Sequence, residues 1–169
     1  MSALRLMLVS YPPRLEPMFE HVVASVARFT GPTFAVERCQ TGDDALRWVR
    51  TWRHRAGRIN RLELFGHGRP GAFSLGDEVL FSDDGTGLDT AEALGDALDA
   101  RAAVALLGCN TAARGDGRWL WPFERALGAR RTLWGCPGWI STVDFRQGPL
   151  SSAQRRRLVR AHPSPPAAA

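Results

Sequence analysis

The sequence predicts an α/β fold, a three-layer αβα sandwich with a mainly parallel central sheet. Three observations lead to it. Short apolar runs alternate along the chain with segments of helical spacing, the pattern that builds a parallel sheet with helices on both faces. The most apolar run, residues 102–107, has the character of a central strand buried on both sides. Glycine-rich turns, Gly66-His67-Gly68 and Gly108-Cys109-Asn110, follow two of the runs, where functional groups collect at the carboxyl edge of such a sheet.

Each element has its own signal. Residues 4–9 form an apolar run broken by Arg5 and stopped before Pro12-Pro13, a buried strand. Residues 18–29 place Met18, Phe19, Val22, Val23, Val26 and Phe29 at helical spacing, and Thr30-Gly31-Pro32 ends that helix. A short strand follows around 34–36. Thr41 is the expected cap of a helix over 43–53, with Ala45, Leu46, Val49 and Trp52 on one face. Gly57 breaks it, and residues 59–65 form the next strand, followed by the glycine-rich turn 66–71. Residues 73–80 alternate around Gly76-Asp77 as a small β-hairpin. Thr90 is the expected cap of a helix carrying Ala91, Leu94, Ala97 and Leu98. Beyond the strand 102–107 come a helix over 119–127, a strand at 131–134 and a further strand at 139–145. Residues 1–150 therefore read as one α/β domain, and 151–169 as a basic, then Pro/Ala-rich, partly disordered C-terminal tail.

Composition narrows the function classes. A chain of 169 residues, 44% hydrophobic and 23% charged, is long enough for one well-buried core. The formal net charge is +5 and the pI near 10.3, but the basic residues are scattered. The two denser stretches, within 47–58 and at 155–157, read as solvated helix faces, so no nucleic-acid partner is expected. No apolar run approaches a membrane span, and no membrane partner is expected. The first residues lack a secretory signal pattern, and the three cysteines, Cys39, Cys109 and Cys136, are an odd count. A reducing cytoplasm without a disulfide framework is the expected setting.

His67 and Cys109 each lie two residues past the end of an apolar strand. If those strands are neighbours, both side chains emerge at one sheet edge. A thiol needs a nearby base to become the nucleophilic thiolate, and His67 can supply it. The backbone N–H groups of Gly68 and Cys109 can receive a tetrahedral oxyanion, and Gly68 has no side chain to block an approaching carbonyl. Other chemistries fit less well. Arg114 follows Cys109 one residue too closely for the phosphate loop of a cysteine phosphatase. An α/β-hydrolase needs a nucleophile elbow and places its His last, and a papain-like enzyme places Cys before His. No paired-ligand spacing supports a metal site, and no cofactor is required. Cys136, in a Gly-Cys-Pro-Gly turn, reads first as a packing residue and otherwise as one that lines the cleft, and Cys39 reads as a packing residue.

The segments RLELFGHGRPGAFSLGDEVL and AAVALLGCNTA, the latter followed by GDG, resemble the His-Gly and Cys segments of caspase-like cysteine peptidases. The resemblance is closest to a bacterial branch, a domain of unknown function, in which the His-Gly turn leads into a hairpin and a strand leads into a Gly-Cys-Asn turn. It covers roughly residues 4–145. It implies a caspase–haemoglobinase fold, a His67–Cys109 dyad with His67 as general base and acid and Cys109 as nucleophile, and Gly68 and Cys109 as oxyanion donors. The expected activity is that of a cysteine endopeptidase acting on a protein or peptide through an acyl-enzyme. The alternative is a non-catalytic caspase-like module that binds a partner.

The resemblance stops short of specificity. The Gln-Ala-Cys-x-Gly signature of caspases is absent, and Leu107 stands where their Gln helps to hold an acidic P1 residue. Related peptidases wall the P1 pocket with charges near the first and last strand ends. Arg14, Trp139 and Asp144 are the corresponding candidates here. Arg14, or Arg146, would favour an acidic P1 residue and Asp144 a basic one.

Overall fold

A computed structural model describes residues 3–11 and 16–163. It contains a six-stranded sheet built from β1 (Leu4–Ser10), β2 (Phe34–Cys39), β3 (Ile59–Phe65), β7 (Ala103–Leu107), β8 (Thr132–Gly135) and β9 (Val159–Arg160), in the spatial order β2-β1-β3-β7-β8-β9. All neighbours pair in parallel except β9, which runs antiparallel to β8. Helices flank both faces, an architecture compatible with a three-layer sandwich.

Alternation along the strands creates two cores. Leu4, Leu6 and Leu8 of β1 face one way with Leu62, Leu64, Val104 and Leu106, beneath α2 (Gly42–Ala56), α3 (Leu88–Ala97) and α4 (Trp121–Leu127). Met7, Val9, Phe65, Ala105 and Leu107 face the other way, beneath α1 (Pro17–Ala27). From α1, Phe19, Val22, Val23 and Val26 are buried, at the i, i+3, i+4, i+7 spacing that puts them on one side of a helix. Each such side chain contributes roughly 1.5–3 kcal/mol when fully buried.

Local signals explain α2 well. The Thr41 hydroxyl accepts the Asp44 N–H at 3.1 Å, Asp43 and Asp44 sit at the positive helix end, and Arg53 to Arg55 at the negative end. The helix of α3 begins earlier than Thr90. Its N-cap is Gly87, in the left-handed region at φ 92°, whose carbonyl takes the Ala91 N–H. A Cβ there would meet Leu80 O at 1.9 Å, so only glycine passes, and Thr90 falls inside the helix. The segment before α4 is a 3-10 turn, Arg118–Leu120, with α-helix starting only at Trp121.

The His-Gly turn is partly a strand. β4 (His67–Arg69), β5 (Ala72–Leu75) and β6 (Glu78–Ser82) make a small antiparallel sheet, with the expected hairpin turning between Leu75 and Glu78. Residues 139–145 are not a strand. They run as a loop into a 3-10 turn, Thr142–Phe145, closed by a reciprocal cap between Ser141 and Asp144. The sheet edge beside β8 is taken instead by β9, from the region expected as tail. Ala161 N–H bonds Leu133 O at 2.9 Å, and Leu150 and Ala161 are buried, which ties residues 150–161 to the domain. A short helix, α5 (Ser152–Arg155), lies between. The Pro/Ala-rich stretch 164–169 and Arg14 lie outside the described residues. No helix among the described residues is long and apolar enough to cross a membrane.

Candidate functional site

β3 and β7 are adjacent and parallel, with Phe65 opposite Leu107. The Gly66 N–H bonds Leu107 O at 3.3 Å, so the two strands finish together. From there the chain turns into β4, which crosses directly over the turn after β7. A Cβ on Gly68 would lie 2.5 Å from Gly108 C and 2.6 Å from Cys109 O. A Cβ on Gly108 would in turn lie 2.9 Å from Gly68 N and Gly68 Cα. Two backbones thus touch where both residues are glycine, and His67 and Cys109 flank that contact.

The Cys109 turn is held from below. Asn110 takes a left-handed conformation at φ 57°, and Thr111 is fully buried. The Thr111 hydroxyl lies 3.1 Å from both Leu106 O and Gly108 O, to either of which it can donate, and accepts the Cys136 N–H at 2.8 Å. Asn110 N–H and Ala112 N–H bond Gly138 O and Cys136 O at 2.8 and 2.7 Å. The loop after β8 is therefore laced to the Cys109 turn, and the Cys109 thiol donates to Ile140 O at 3.5 Å.

The three cysteines differ sharply. Cys39 is buried, and its thiol is pushed up to about 12, first by burial and then by Asp44. Cys136 is buried, and its thiol is likewise pushed up to about 12, by burial and then by Cys109 and Asp144. Cys109 alone is partly exposed.

His67 is half-exposed on β4. Its Nε2 lies 3.2 Å from Glu16 Oε1, and the Phe19 ring packs edge-on at 5.1 Å between centroids. Glu16 is the N-cap residue of α1, yet its side chain makes no capping bond and reaches His67 instead. Sequence reading missed Glu16, Phe19 and Thr111. An acidic residue ahead of Pro17 looks like an ordinary helix start, and nothing local couples it to a histidine beyond β3. Glu16 follows β1 and His67 follows β3, where the strand order reverses, the place at which ligand crevices form in open α/β sheets.

Two of the candidate specificity residues, Trp139 and Asp144, lie together beyond β8. Trp139 is 86% exposed, in the loop tied to the Cys109 turn. Asp144 spends one carboxylate oxygen on the Ser141 N–H at 2.8 Å. Both line a small cavity of about 170 Å³ with Cys136, Ile140 and Arg157. On the opposite flank, Pro70 beyond β4 and Ala113 beyond the Cys109 turn border an open cleft of about 880 Å³ with Arg114 and His162. Among the described residues no group of three or more His, Cys, Asp or Glu side chains is placed to hold a metal ion.

Comparison with known proteins adds one relationship. None of the curated proteins matches the chain. A family model described as a domain of unknown function, DUF4347, matches residues 19–129 of the 169, a span that contains His67, Gly68 and Cys109. The chain belongs to the DUF4347 family of domains of unknown function.

Proposed function

We propose that this protein is a cysteine endopeptidase of caspase–haemoglobinase-like fold, with His67 and Cys109 as a catalytic dyad. The observation that carries this reading is the glycine-to-glycine contact of β4 with the turn after β7, which sets the histidine and cysteine turns against each other. The Cys109 thiolate attacks the scissile carbonyl carbon. Its oxyanion receives hydrogen bonds from the Gly68 and Cys109 N–H groups. The C–N bond then breaks as His67 protonates the leaving amine. Water, losing its proton to His67, attacks the acyl-enzyme and releases the new carboxylate and the thiol. Glu16 orients the imidazole through Nε2.

The contrast among the thiols supports the same reading, because only Cys109 combines exposure with a nearby histidine turn. A second reading, a partner-binding module without catalysis, draws support from the exposed Trp139 and from the Cys109 thiol turned to Ile140 O. An acyloxymethyl ketone peptide probe at neutral pH separates the two. The peptidase reading expects covalent labelling of the wild type that disappears in Cys109→Ala and slows at least about a hundredfold in His67→Ala. Unlabelled wild type, or labelling that survives in Cys109→Ala, would sink it.

A further inference from the structure

The sheet carries a second polar centre that the peptidase reading does not use. Glu63 lies in the middle of β3 with its side chain 1% exposed. It pairs with Arg5 at 2.5 Å, and with Arg61 at 3.7 Å, too long for a hydrogen bond. Glu63 Oε1 and Arg5 Nε are both buried without a hydrogen-bond partner among the described residues. Leaving such groups unsatisfied is costly, more so when they are charged.

Next to this pair the sheet surface is hollow. Ala105 sits opposite Glu63 and Ala103 opposite Arg61, so β7 presents only methyl groups there. The space left is a cavity of about 510 Å³, within the range of small-molecule sites. Trp134 and Leu158 wall it, and Arg61, Arg155 and Arg156 rim it. The Trp134 indole N–H donates to Thr132 Oγ1 at 3.0 Å, which fixes the ring. The Arg5 and Arg61 guanidiniums face the Glu63 carboxylate, and Arg155 and Arg156 add positive charge at the cavity rim beside an apolar floor. The crowding registers at Arg155, whose affinity for its proton is lowered by burial and then by Arg5 and Arg61.

We infer that the cavity between β7, β8 and α5 is a binding site for a small aromatic anion, such as an aryl phosphate. The anionic group meets the Arg61 and Arg156 guanidiniums, whose forked donors suit phosphate or carboxylate oxygens, while Arg155, whose terminal nitrogens donate to Leu150 O and Ser152 Oγ, adds charge at the rim. The flat body lies against Trp134 and over the alanines. The cavity runs along β7 from Ala103, away from the Leu107 end where the dyad turns meet, so the site stands independently of the peptidase reading.

Isothermal titration calorimetry of the full chain with three probes tests the inference: 1-naphthyl phosphate, inorganic phosphate and 1-naphthol. Saturable one-to-one binding of 1-naphthyl phosphate is expected, at least about tenfold tighter than that of either fragment probe. Arg156→Gln, at an exposed position, keeps the fold and weakens binding about fivefold or more, and Arg61→Gln acts in the same direction. Ala105→Leu, which fills the floor, abolishes binding. Absence of saturable binding by 1-naphthyl phosphate, equal affinity for inorganic phosphate, or unchanged affinity in both arginine variants overturns the inference.

Discussion

His67 Nε2 lies 3.2 Å from Glu16 Oε1, a contact that joins the end of β3 to the start of α1 across the point where the strand order reverses. The pair is 49% and 42% exposed on its two sides, so its worth to folding is small, about 0.2–1 kcal/mol before screening by salt. Its consequence is orientation of the imidazole. Glu16→Gln is expected to leave thermal stability nearly unchanged while slowing covalent labelling of Cys109 by roughly tenfold, with Glu16→Asp recovering part of the rate. Equal labelling rates in wild type and Glu16→Gln would remove Glu16 from the site.

Gly68 is the constraint that joins the His67 and Cys109 turns. Its replacement by alanine puts a methyl group 2.5 Å from Gly108 C and 2.6 Å from Cys109 O, both backbone atoms that cannot swing aside. Gly68→Ala should cost about 1–3 kcal/mol and lift β4 off the Cys109 turn. Chemical denaturation and probe labelling together check this, with stability falling modestly and labelling falling at least about a hundredfold.

Thr111 holds the Cys109 turn without facing solvent. Thr111→Val keeps the shape but removes the acceptor of the Cys136 N–H and the donor near Leu106 O and Gly108 O. The loss is expected at about 1–3 kcal/mol in urea unfolding, because these groups stay buried. A variant as stable as wild type would mean that the turn is held by the Asn110 and Ala112 backbone bonds alone.

The buried thiols set a direction for alkaline stability. In the folded chain Cys39 and Cys136 keep their protons up to about 12, whereas in the unfolded chain they release them near the ordinary value of 9.0. The unfolded state therefore binds fewer protons over that window, and stability falls as pH rises from about 9 towards 12. Urea midpoints should drop between pH 8 and pH 10.5, and less in a Cys39→Ala/Cys136→Ala double variant. At neutral pH, iodoacetamide followed by mass spectrometry should modify Cys109 in the folded protein, and all three cysteines in urea.

Much of this molecule was legible one segment at a time. The capped helix begun by Thr41, the apolar face of α1, the hairpin at Gly76-Asp77 and the buried run of β7 all follow from periodicity, caps and turns, which are local properties. Thr90 misled because a glycine able to pass against Leu80 O starts α3 one turn sooner, and that close approach involves β6. Residues 139–145 misled because an apolar, β-prone composition does not reveal that the edge beside β8 is already filled by β9.

By itself the sequence determined that strands alternate with helices, that the sheet is mainly parallel, and that His67 and Cys109 each follow a strand end. Residue period, glycine and proline specify these through neighbouring residues only. Tertiary structure alone decided that β3 and β7 lie side by side, that Gly68 rests on Gly108, that Glu16 reaches His67, and that β9 completes the sheet. Each of these joins segments distant along the chain, and such contacts form only where burial of a shared core sets strand order and register.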